Sequence, residues 1–300
     1  MAIPNPIKAR IKALKKEFDT LRVGKDALLI LIEEAEAPES VYNSNAIENS
    51  TLTLHETEQI LIELELSRNA SLREVFEAKN LARVIAYIRK NANQRVVNRD
   101  LILALHLMLL NGIDDGIAGR FRTEGEYVRI GTVIAPAPER IETMIESALL
   151  DYAKHTNYFL EKIAQFHLDF ETIHPFNDGN GRVGRLLINF QLLQLGYPSV
   201  IIRNKEKNYY YSAFKEYGAK SVTKRMERVL ALALMESLHK RIAYLKGDEI
   251  IPLTDYAKKH RLNISSLLNA ARRQTIPAFR EKGKWKLSAS FVLEKKNQKI

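Results

Sequence analysis

The apolar residues of this chain recur with the period of an α-helix over most of its length, and this pattern sets the fold class. Near the start, one apolar stripe consists of Ile7, Ile11, Leu14, Phe18 and Leu21. Comparable patterns predict helices at about 26–36, 55–66, 71–91, 98–111, 138–154, 157–173, 182–195, 208–217 and 221–246. We therefore expect a mainly α protein, built as a helical bundle with a small unit at its C-terminal end.

One clear strand pattern interrupts the helices, at residues 125–135 (GEYVRIGTVIA). Its first strand is predicted to comprise Tyr127, Val128, Arg129 and Ile130. Gly131 follows as a turn residue, and two more β-branched residues come after it. The segment predicts a short β-hairpin, which we call the flap. Two prolines end it and precede the next helix.

Composition points to an ordinary globular protein in a reducing compartment. No apolar run approaches the roughly 18 residues that a membrane span needs, so no membrane contact is expected. The first 20 residues mix charged and aliphatic side chains and lack the apolar core of a secretion signal. The chain has 0 cysteines, which excludes disulfides and thiolate metal sites. We expect a cytoplasmic enzyme.

Positive charge is concentrated at one end of the chain. Residues 1–200 contain 23 basic and 27 acidic side chains, whereas residues 201–300 contain 23 basic and only 9 acidic ones. A basic region of this kind favours a phosphate-bearing partner, either nucleic acid or nucleotide. A solvated Lys/Arg face is the alternative, and charge alone does not separate the two.

Residues 173–185 (IHPFNDGNGRVGR) join a helix end, a glycine-rich turn and a second helix. Gly179, Asn180 and Gly181 can adopt positive φ, so successive N–H groups can point at one anion. The turn leads into an apolar helix, whose N-terminus favours phosphate. We call residues 176–181 the anion loop.

Side chains suited to phosphate chemistry surround the anion loop. Arg182 and Arg185 can hold phosphate oxygens through forked hydrogen bonds. The Asp178 carboxylate suits a Mg²⁺ ion that bridges phosphates. His174 can accept a proton near neutral pH, and Phe176 can bury its ring and fix the loop.

The segment HPFNDGNGRVGR resembles the Fic signature H-x-F-x-[D/E]-G-N-G-R-x-x-R at every constrained position. The similarity to Fic proteins extends over roughly residues 30–215. It implies a protein adenylyltransferase, which moves AMP from ATP onto a Ser, Thr or Tyr hydroxyl of a target protein. It also implies that His174 is the base, that Phe176 anchors the loop and that Asp178 holds Mg²⁺. The phosphates would be bound by Gly179, Asn180, Gly181, Arg182 and Arg185.

The same resemblance bears on the reaction and the target. Fic relatives that phosphorylate have a Lys where this chain has Gly181, so transfer of AMP is expected. The flap would add a strand to an extended target segment and present its hydroxyl to His174. Self-modification is also expected. The aromatic run 209–211 would lie near the adenine, where it either stacks on the base or packs into the helix core.

An upstream segment, Ser44-Asn45-Ala46-Ile47-Glu48-Asn49, fits the Fic inhibitory pattern [S/T]-x-x-x-[E]-[G/N]. Ser44 and Glu48 are four residues apart and share a helical face. The resemblance implies that Glu48 pairs with Arg185 and obstructs the γ-phosphate. The restraint would be intramolecular. Some relatives use the same glutamate to remove AMP from a modified target.

Residues 250–300 predict a separate small unit after a linker at 245–251. A helix capped by Thr254, a second helix opened by Ser265 or Ser266, and a hairpin turning at Gly283 resemble the winged helix-turn-helix of MerR- or excisionase-like proteins. This implies contacts to DNA from Ser265, Asn269, Arg272, Arg273, Lys282 and Lys284. The alternative is a unit that docks on the catalytic core or mediates a homodimer.

The sequence thus predicts three regions: an N-terminal helical region at 1–95, a Fic catalytic core with its following helices at 96–246, and the C-terminal module at 250–300. Two other functions stay open. One is a DNA-binding transcriptional regulator whose Fic fold senses nucleotide. The other is a de-AMPylating hydrolase.

Overall fold

Helices dominate the computed structural model, which describes residues 3–63 and 70–293. The mainly α prediction is confirmed. The helices are α1 (Asn5–Leu21), α2 (Asp26–Ile47), α3 (Leu54–Glu58), α4 (Leu72–Asn91), α5 (Arg99–Leu110), α6 (Ile141–Lys154), α7 (Phe159–Ile173), α8 (Asn180–Gln194), α9 (Lys207–Lys220), α10 (Lys224–Lys246), α11 (Leu253–His260) and α12 (Ile264–Arg272). No helix among the described residues is long and apolar enough to cross a membrane.

Side-chain caps explain where several of these helices begin. The side chains of Thr53 and Ser71 each accept a hydrogen bond from the backbone N–H of a glutamate three residues ahead. The side chain of that glutamate accepts from the backbone N–H of the cap residue, which completes a capping box. Asn98 caps α5 in the same position through a single side-chain acceptor. A π-helical turn at Gln59–Glu63 follows α3. The last part of the helix predicted at 55–66 lies outside the described residues.

The chain divides into two compact units. Unit 1 contains Ile3 and residues 37–230, and unit 2 contains residues 4–36 with 231–293. The limits fall within α2 and α10, which are continuous helices. The three-region division of the sequence is a different partition and stays a prediction.

Helix α2 is longer than predicted. The sequence pattern predicted a helix at about 26–36, and Pro38 beyond it lacks a backbone donor. The structure continues the helix through Pro38 to Ile47. Beyond the proline, Val41 and Ile47 are fully buried, so packing outweighs the lost hydrogen bond. The helix thereby carries Ser44 into unit 1.

The core of unit 1 lies between α4, α5, α7 and α8. Its large side chains include Leu81, Leu105, Phe170, Phe176 and Phe190, all at most 1% exposed. Helices α7 and α8 pack against each other directly. The segment between them, which contains the anion loop, is therefore supported by the core on both sides.

The flap is a hairpin of β1 (Arg129–Ile130) and β2 (Val133–Ile134), which are antiparallel. The first strand is shorter than predicted, since Tyr127 and Val128 lie before β1. The chain turns at Gly125, two residues before Tyr127, with a φ of +84°. Beyond the two strands, the Ala135 N–H donates to the Val128 carbonyl at 3.0 Å.

Unit 2 ends in two helices and a three-stranded antiparallel sheet in the order β3 (Ile250–Pro252), β5 (Lys284–Ser288), β4 (Phe279–Glu281). The predicted linker at 245–251 is wrong in part: α10 runs to Lys246, and residues from Ile250 onward pair with β5. One hydrophobic cluster of unit 2 consists of the buried residues Leu253, Tyr256, Ala257, Leu267, Ala270, Ala271, Ile276, Ala278 and Leu287. The winged helix-turn-helix assignment stays a prediction.

The predicted helix starts in unit 2 also differ. Thr254 does not cap α11, because the helix begins at Leu253 and Pro252 takes the cap position. Asn263, not Ser265 or Ser266, caps α12, and its side chain accepts from the Ser266 N–H at 3.0 Å. Asparagine competes well for this position, since its oxygen reaches the same orphan donors.

Candidate active site

His174 occupies the end of α7 in a left-handed conformation, with φ of +50°. This backbone region is uncommon for a residue with a Cβ, and it turns the chain sharply into the anion loop. The His174 Nδ1 atom lies 3.3 Å from the carbonyl oxygen of Glu171. Burial lowers the pKa of His174 below its ordinary value, so its ring is neutral at physiological pH.

Phe176 anchors the anion loop to the core of unit 1. Its ring is fully buried and stacks on His106 at 3.7 Å between centroids, with 8° between the planes. The Asn180 side chain closes the loop, since it accepts from the Phe176 N–H at 2.9 Å and donates to the Phe176 carbonyl at 2.7 Å. The side chain of Asn180 is thus committed to the loop, and only its backbone N–H is left for a ligand.

The glycine-rich turn is less irregular than predicted. Gly179 alone has positive φ, at +79°, and it caps α8. Asn180 and Gly181 are already the first residues of that helix. Their N–H groups are among the donors that an α-helix leaves without intrahelical acceptors. The anion site is therefore a helix N-terminus, stabilised for negative charge by the helix dipole.

Arg182 and Asp178 form an ion pair across the first turn of α8, with 3.0 Å between Arg182 Nη2 and Asp178 Oδ1. Arg182 also pairs with Glu77 at 3.2 Å. Arg73 binds the other oxygen of Asp178. The sequence reasoning missed Arg73 and Glu77, which come from α4 and carry no local motif.

Arg185 is buried and faces the inhibitory segment. Its Nη1 lies 2.8 Å from Glu48 Oε1, its Nε lies 2.9 Å from Ser44 Oγ, and its Nη2 lies 2.8 Å from the Ser44 carbonyl. Burial alone would lower the pKa of Arg185, yet the Glu48 carboxylate raises it above its ordinary value. The structure thus brings the predicted inhibitory residues onto the predicted phosphate-binding arginine.

Asn49 explains the last position of the inhibitory pattern. It has a φ of +71°, in the left-handed region that Gly and Asn enter most readily. Its side-chain oxygen accepts from Lys207 Nζ at 2.7 Å. The turn at Asn49 ends α2 and directs Glu48 toward α8.

Glu48 lies against the anion loop itself. A Cβ placed on Gly181 would be 2.2 Å from Glu48 Oε1 and 3.1 Å from Arg185 Nη1. The carboxylate therefore sits over the second residue of α8, at the helix end where a phosphate is favoured. Gly181 leaves the space that this position of Glu48 requires.

Sequence reasoning missed two positioning residues, His106 and Arg122, because their partners are far away in sequence. His106 on α5 lies 3.1 Å from the Asp178 carbonyl through Nε2, and its Nδ1 accepts from the Gly119 N–H at 3.0 Å. The ring is therefore neutral, with its proton on Nε2. Burial lowers the pKa of His106 to about 4. The only sequence signal for this role was that His106 is a single polar residue within the apolar run 101–110.

Arg122 connects the flap with His174. Its Nε donates to the His174 carbonyl at 2.9 Å, and its two terminal nitrogens donate to the carbonyls of Glu126 and Pro136, at 2.8 and 3.0 Å. Those two carbonyls lie at the two ends of the flap. The flap residues Arg129 and Ile130 are thus held relative to His174 by one buried guanidinium.

The aromatic run 209–211 is divided between core and surface. Tyr210 is buried, with its hydroxyl 2.7 Å from His167 Nε2. The Tyr211 hydroxyl donates to the Ile47 carbonyl at 3.1 Å. Tyr209 is exposed. Tyr210 therefore packs into the helix core, and stacking of an aromatic ring from this run on the adenine stays a prediction.

Asp178 suits a shared Mg²⁺ better than a protein-only cage. Its carboxylate is about one-third exposed beside the anion loop. The described residues contain no group of three or more His, Asp or Glu side chains that could hold a metal. Mg²⁺ binds through one or two carboxylates together with nucleotide phosphates, so this single donor fits.

Comparisons with known proteins agree with this geometry. Residues 96–192 match the family model described as the Fic/DOC family. A protein adenylyltransferase Fic of Nematostella vectensis is 33% identical over 218 residues, covering 71% of this chain and 50% of that protein. Its counterpart in Drosophila erecta is 30% identical over 223 residues, covering 71% of this chain and 44% of that protein. The chain spans about half the length of the curated relatives it matches.

Solved structures show the same fold. A Fic domain-containing signaling protein from Bacteroides thetaiotaomicron has a TM-score of 0.70 at 28% identity, over 80% of this chain and 97% of that one. A Fic family protein from Desulfovibrio desulfuricans G20 shares the fold over 98% of this chain, with a TM-score of 0.66 at 19% identity. The fold and the site define a protein with a Fic domain. Residues 96–192 of the chain carry this domain.

Proposed function

We propose that this protein is an adenylyltransferase that moves AMP from ATP to a hydroxyl of a target protein and is restrained by its own Glu48. One observation carries the proposal: a neutral histidine, a helix N-terminus and the buried Arg182 and Arg185 meet around one anion loop. Each group alone is common in proteins. Together they supply a base, a phosphate cradle and charge stabilisation.

The proton transfer follows from the orientation of His174. Its Nδ1 faces the Glu171 carbonyl, so Nε2 is the nitrogen that is left to accept the target's hydroxyl proton. The hydroxyl oxygen attacks the α-phosphorus as its proton moves to Nε2. The bond from that phosphorus to the β-phosphate oxygen breaks, and pyrophosphate leaves with its charge stabilised by Arg182 and Arg185.

Asp178 would hold a Mg²⁺ ion, which would supply further neutralisation of negative charge. In the structure this carboxylate is bound by Arg73 and Arg182. The exposed Arg73 is the partner that can be released, whereas Arg182 is buried.

Autoinhibition follows from the position of Glu48. Its carboxylate binds Arg185 and covers Gly181, the two groups that a terminal phosphate would contact. A charge-assisted Arg–carboxylate bond competes directly with an Arg–phosphate bond. Withdrawal of Glu48 would therefore open the phosphate site without any change in the anion loop.

The first experiment is transfer of α-labelled ATP, with Mg²⁺, to the protein itself and to a cell lysate. Strong labelling by Glu48→Gly, weak labelling by wild type and none by His174→Ala would support the transferase, its restraint and its base. His55→Ala, on the exposed surface of α3, is the matched histidine control and should label as wild type does. Absence of labelling in all variants, with ATP still bound, would refute the proposal.

The same samples distinguish the reverse reaction. A de-AMPylating hydrolase would release AMP from a target that was modified beforehand, and wild type would do so better than Glu48→Gly. The predicted homodimer and the cytoplasmic location stay predictions, and sedimentation of the same preparation measures the former.

DNA binding by the C-terminal module is a second proposed function, carried by the surface of α12. Ser265, Asn269, Arg272 and Arg273 are all exposed, opposite the buried Leu267, Ala270 and Ala271. Lys282 and Lys284 at the β4–β5 turn are exposed as well. A polar and basic helix face of this kind fits a DNA groove, with lysines on the backbone.

Fluorescence anisotropy with a mixed-sequence DNA duplex tests this second function. Arg272→Ala with Arg273→Ala should weaken binding and reduce its salt dependence by about two phosphate contacts. Lys154→Ala, an exposed basic residue at the end of α6, is the control. Equal binding by all three proteins, or none by wild type, would leave the module without this role.

A further inference from the structure

Helix α7 carries a buried carboxyl group that the proposed reaction does not use. Glu171 lies one turn before His174, and its Oε2 is 3.9 Å from His174 Nδ1. Its other oxygen, Oε1, is buried and has no hydrogen-bond partner among the residues that the structure describes. An acidic side chain with an unused oxygen beside a base requires a physical explanation.

The neighbouring helix leaves space for this carboxyl group. A Cβ on Gly184 of α8 would lie 2.4 Å from Glu171 Oε1 and 2.9 Å from the ring of His167. The Fic signature leaves this position unconstrained. In this chain a glycine is required there because Glu171 and His167 approach the backbone of α8 so closely.

Charged and titratable groups surround Glu171 on every packed side. Burial, together with the Glu48 carboxylate, raises the pKa of Glu171 to about 8, and the Arg185 guanidinium opposes this rise. The groups that face it from α7, α8, α9 and the turns after α2 and α7 are Glu48, His167, His174, Arg185, Tyr210 and Tyr211. Arg185 alone is a permanent cation, and in the structure it is bound to Glu48.

We propose that Glu171 is a positioning residue for His174, whose carboxylate approaches Nδ1 and stabilises the imidazolium that forms when Nε2 takes the target's proton. The inference rests on the proposed function, since it assigns a second group to the same proton transfer. A displacement of about 1 Å would bring Oε2 within hydrogen-bond distance of Nδ1.

The proton balance is simple. The target hydroxyl loses its proton to Nε2, and its oxygen forms the new bond to phosphorus as the bond to pyrophosphate breaks. His174 then carries one positive charge in a partly buried place. An ionised Glu171 compensates that charge, as a carboxylate does for an imidazolium in other base–orienter pairs.

Glu48 therefore acts on the reaction in two ways. It occupies Arg185, and its negative charge also favours the protonated, neutral form of Glu171. A neutral Glu171 gives the imidazolium no counter-charge. In the nucleotide-free protein, withdrawal of Glu48 removes a repelling charge and releases Arg185 from its carboxylate partner, so ionisation of Glu171 becomes easier.

The first test of the role of Glu171 measures rates of AMP transfer by variants made in the Glu48→Gly background. Glu171→Gln should lower kcat at least tenfold and leave KM for ATP within about twofold. Its rate should also lose one ionisation from the acid side of the pH profile. Glu171→Asp keeps the charge on a shorter side chain and should recover part of kcat together with that ionisation. Asp169→Asn removes a charge from the same helix, where Asp169 binds Gln165, and should change neither quantity.

A second measurement needs no transfer activity. Histidine-selective NMR titration, with the His174 signal assigned by its loss in His174→Ala, reports the pKa of His174 in each variant. In the Glu48→Gly protein, Glu171→Gln should lower that pKa by at least half a unit. In the wild-type background the same substitution should leave it nearly unchanged, because Glu171 is already neutral there.

The outcomes separate the two proposals. An unchanged kcat and an unchanged His174 pKa in Glu48→Gly with Glu171→Gln would overturn the role of Glu171, while labelling by Glu48→Gly alone would keep the transferase. An equal pKa effect in both backgrounds would overturn the link to Glu48. If Glu171→Gln does not fold, Glu171→Asp must still show the acid-side ionisation, and its absence would overturn the proposal.

Discussion

A methyl group on Gly181 should release Glu48 without altering either partner of the inhibitory ion pair. Gly181 has a helical backbone as the second residue of α8, so Gly181→Ala is compatible with its conformation. The new Cβ would lie 2.2 Å from Glu48 Oε1, and the carboxylate must retreat by at least about 1 Å. Arg185 Nη1 is already 3.1 Å from that Cβ, so it cannot follow. The 2.8 Å bond between them is lost.

The size of the effect follows from that bond. A hydrogen bond between charged groups contributes about 1.5–3 kcal/mol. The Glu48 side chain is 36% exposed, and solvent screens the pair, so we take the lower limit of about 1.5 kcal/mol. This corresponds to about a tenfold increase in the fraction of molecules with an open phosphate site. ATP should therefore bind Gly181→Ala about tenfold more tightly than wild type.

Calorimetric titration with ATP and Mg²⁺ measures this affinity directly. The same substitution in the Glu48→Gly background should change ATP affinity less than twofold, because no carboxylate remains to be displaced. Weaker binding of ATP in both backgrounds would mean that the methyl group damages the anion loop. Equal tightening in both would show that Glu48 is not involved, and either result refutes the reasoning.

Three further predictions concern the residues that hold the site. Phe176→Ala should lower the free energy of unfolding by about 3–5 kcal/mol in urea denaturation, whereas Phe76→Ala, whose ring is 44% exposed, should cost far less. The pKa of His106 is about 4 in the folded chain, so the unfolded chain binds more protons between about pH 6.5 and pH 4. The free energy of unfolding should thus fall on acidification, and His106→Asn should reduce the difference between pH 7.5 and pH 5 by about 2 kcal/mol. In Arg122→Lys a single ammonium nitrogen cannot reach the three carbonyls that Nε, Nη1 and Nη2 bind separately, so KM for a protein target should rise about tenfold with ATP affinity unchanged. An unchanged KM in labelling assays would contradict the role of Arg122.

The candidate site was predictable because its residues are close together in sequence. Residues 174–185 carry the proposed base, the anion loop and both arginines within one segment, and the chemistry of each side chain is local. The inhibitory segment was found because a second short pattern accompanied it. The contact of Arg185 with Ser44 and Glu48 was then predicted by expecting these two short motifs to lie next to each other in the fold.

What the sequence did not reveal depends on packing between distant segments. Arg122 and His174 are 52 positions apart, and His106 and Asp178 are 72 positions apart. No local pattern links either pair. The same holds for α2, where burial of Val41 and Ile47 keeps the helix intact beyond Pro38. Conversely, the glycine-rich turn was predicted to adopt positive φ at Gly179, Asn180 and Gly181, whereas of these three only Gly179 does so.

Under the proposed function, the position of Glu48 over the N-terminus of α8 makes inhibition a competition between a tethered anion and a free one. The tethered carboxylate has a fixed effective concentration at Arg185, which for short connections is on the order of millimolar. The concentration of ATP varies with the energy state of the cell. Under the proposed function, the resting rate of modification would rise whenever ATP is abundant, and the inhibitory segment would set the ATP level at which the enzyme begins to act.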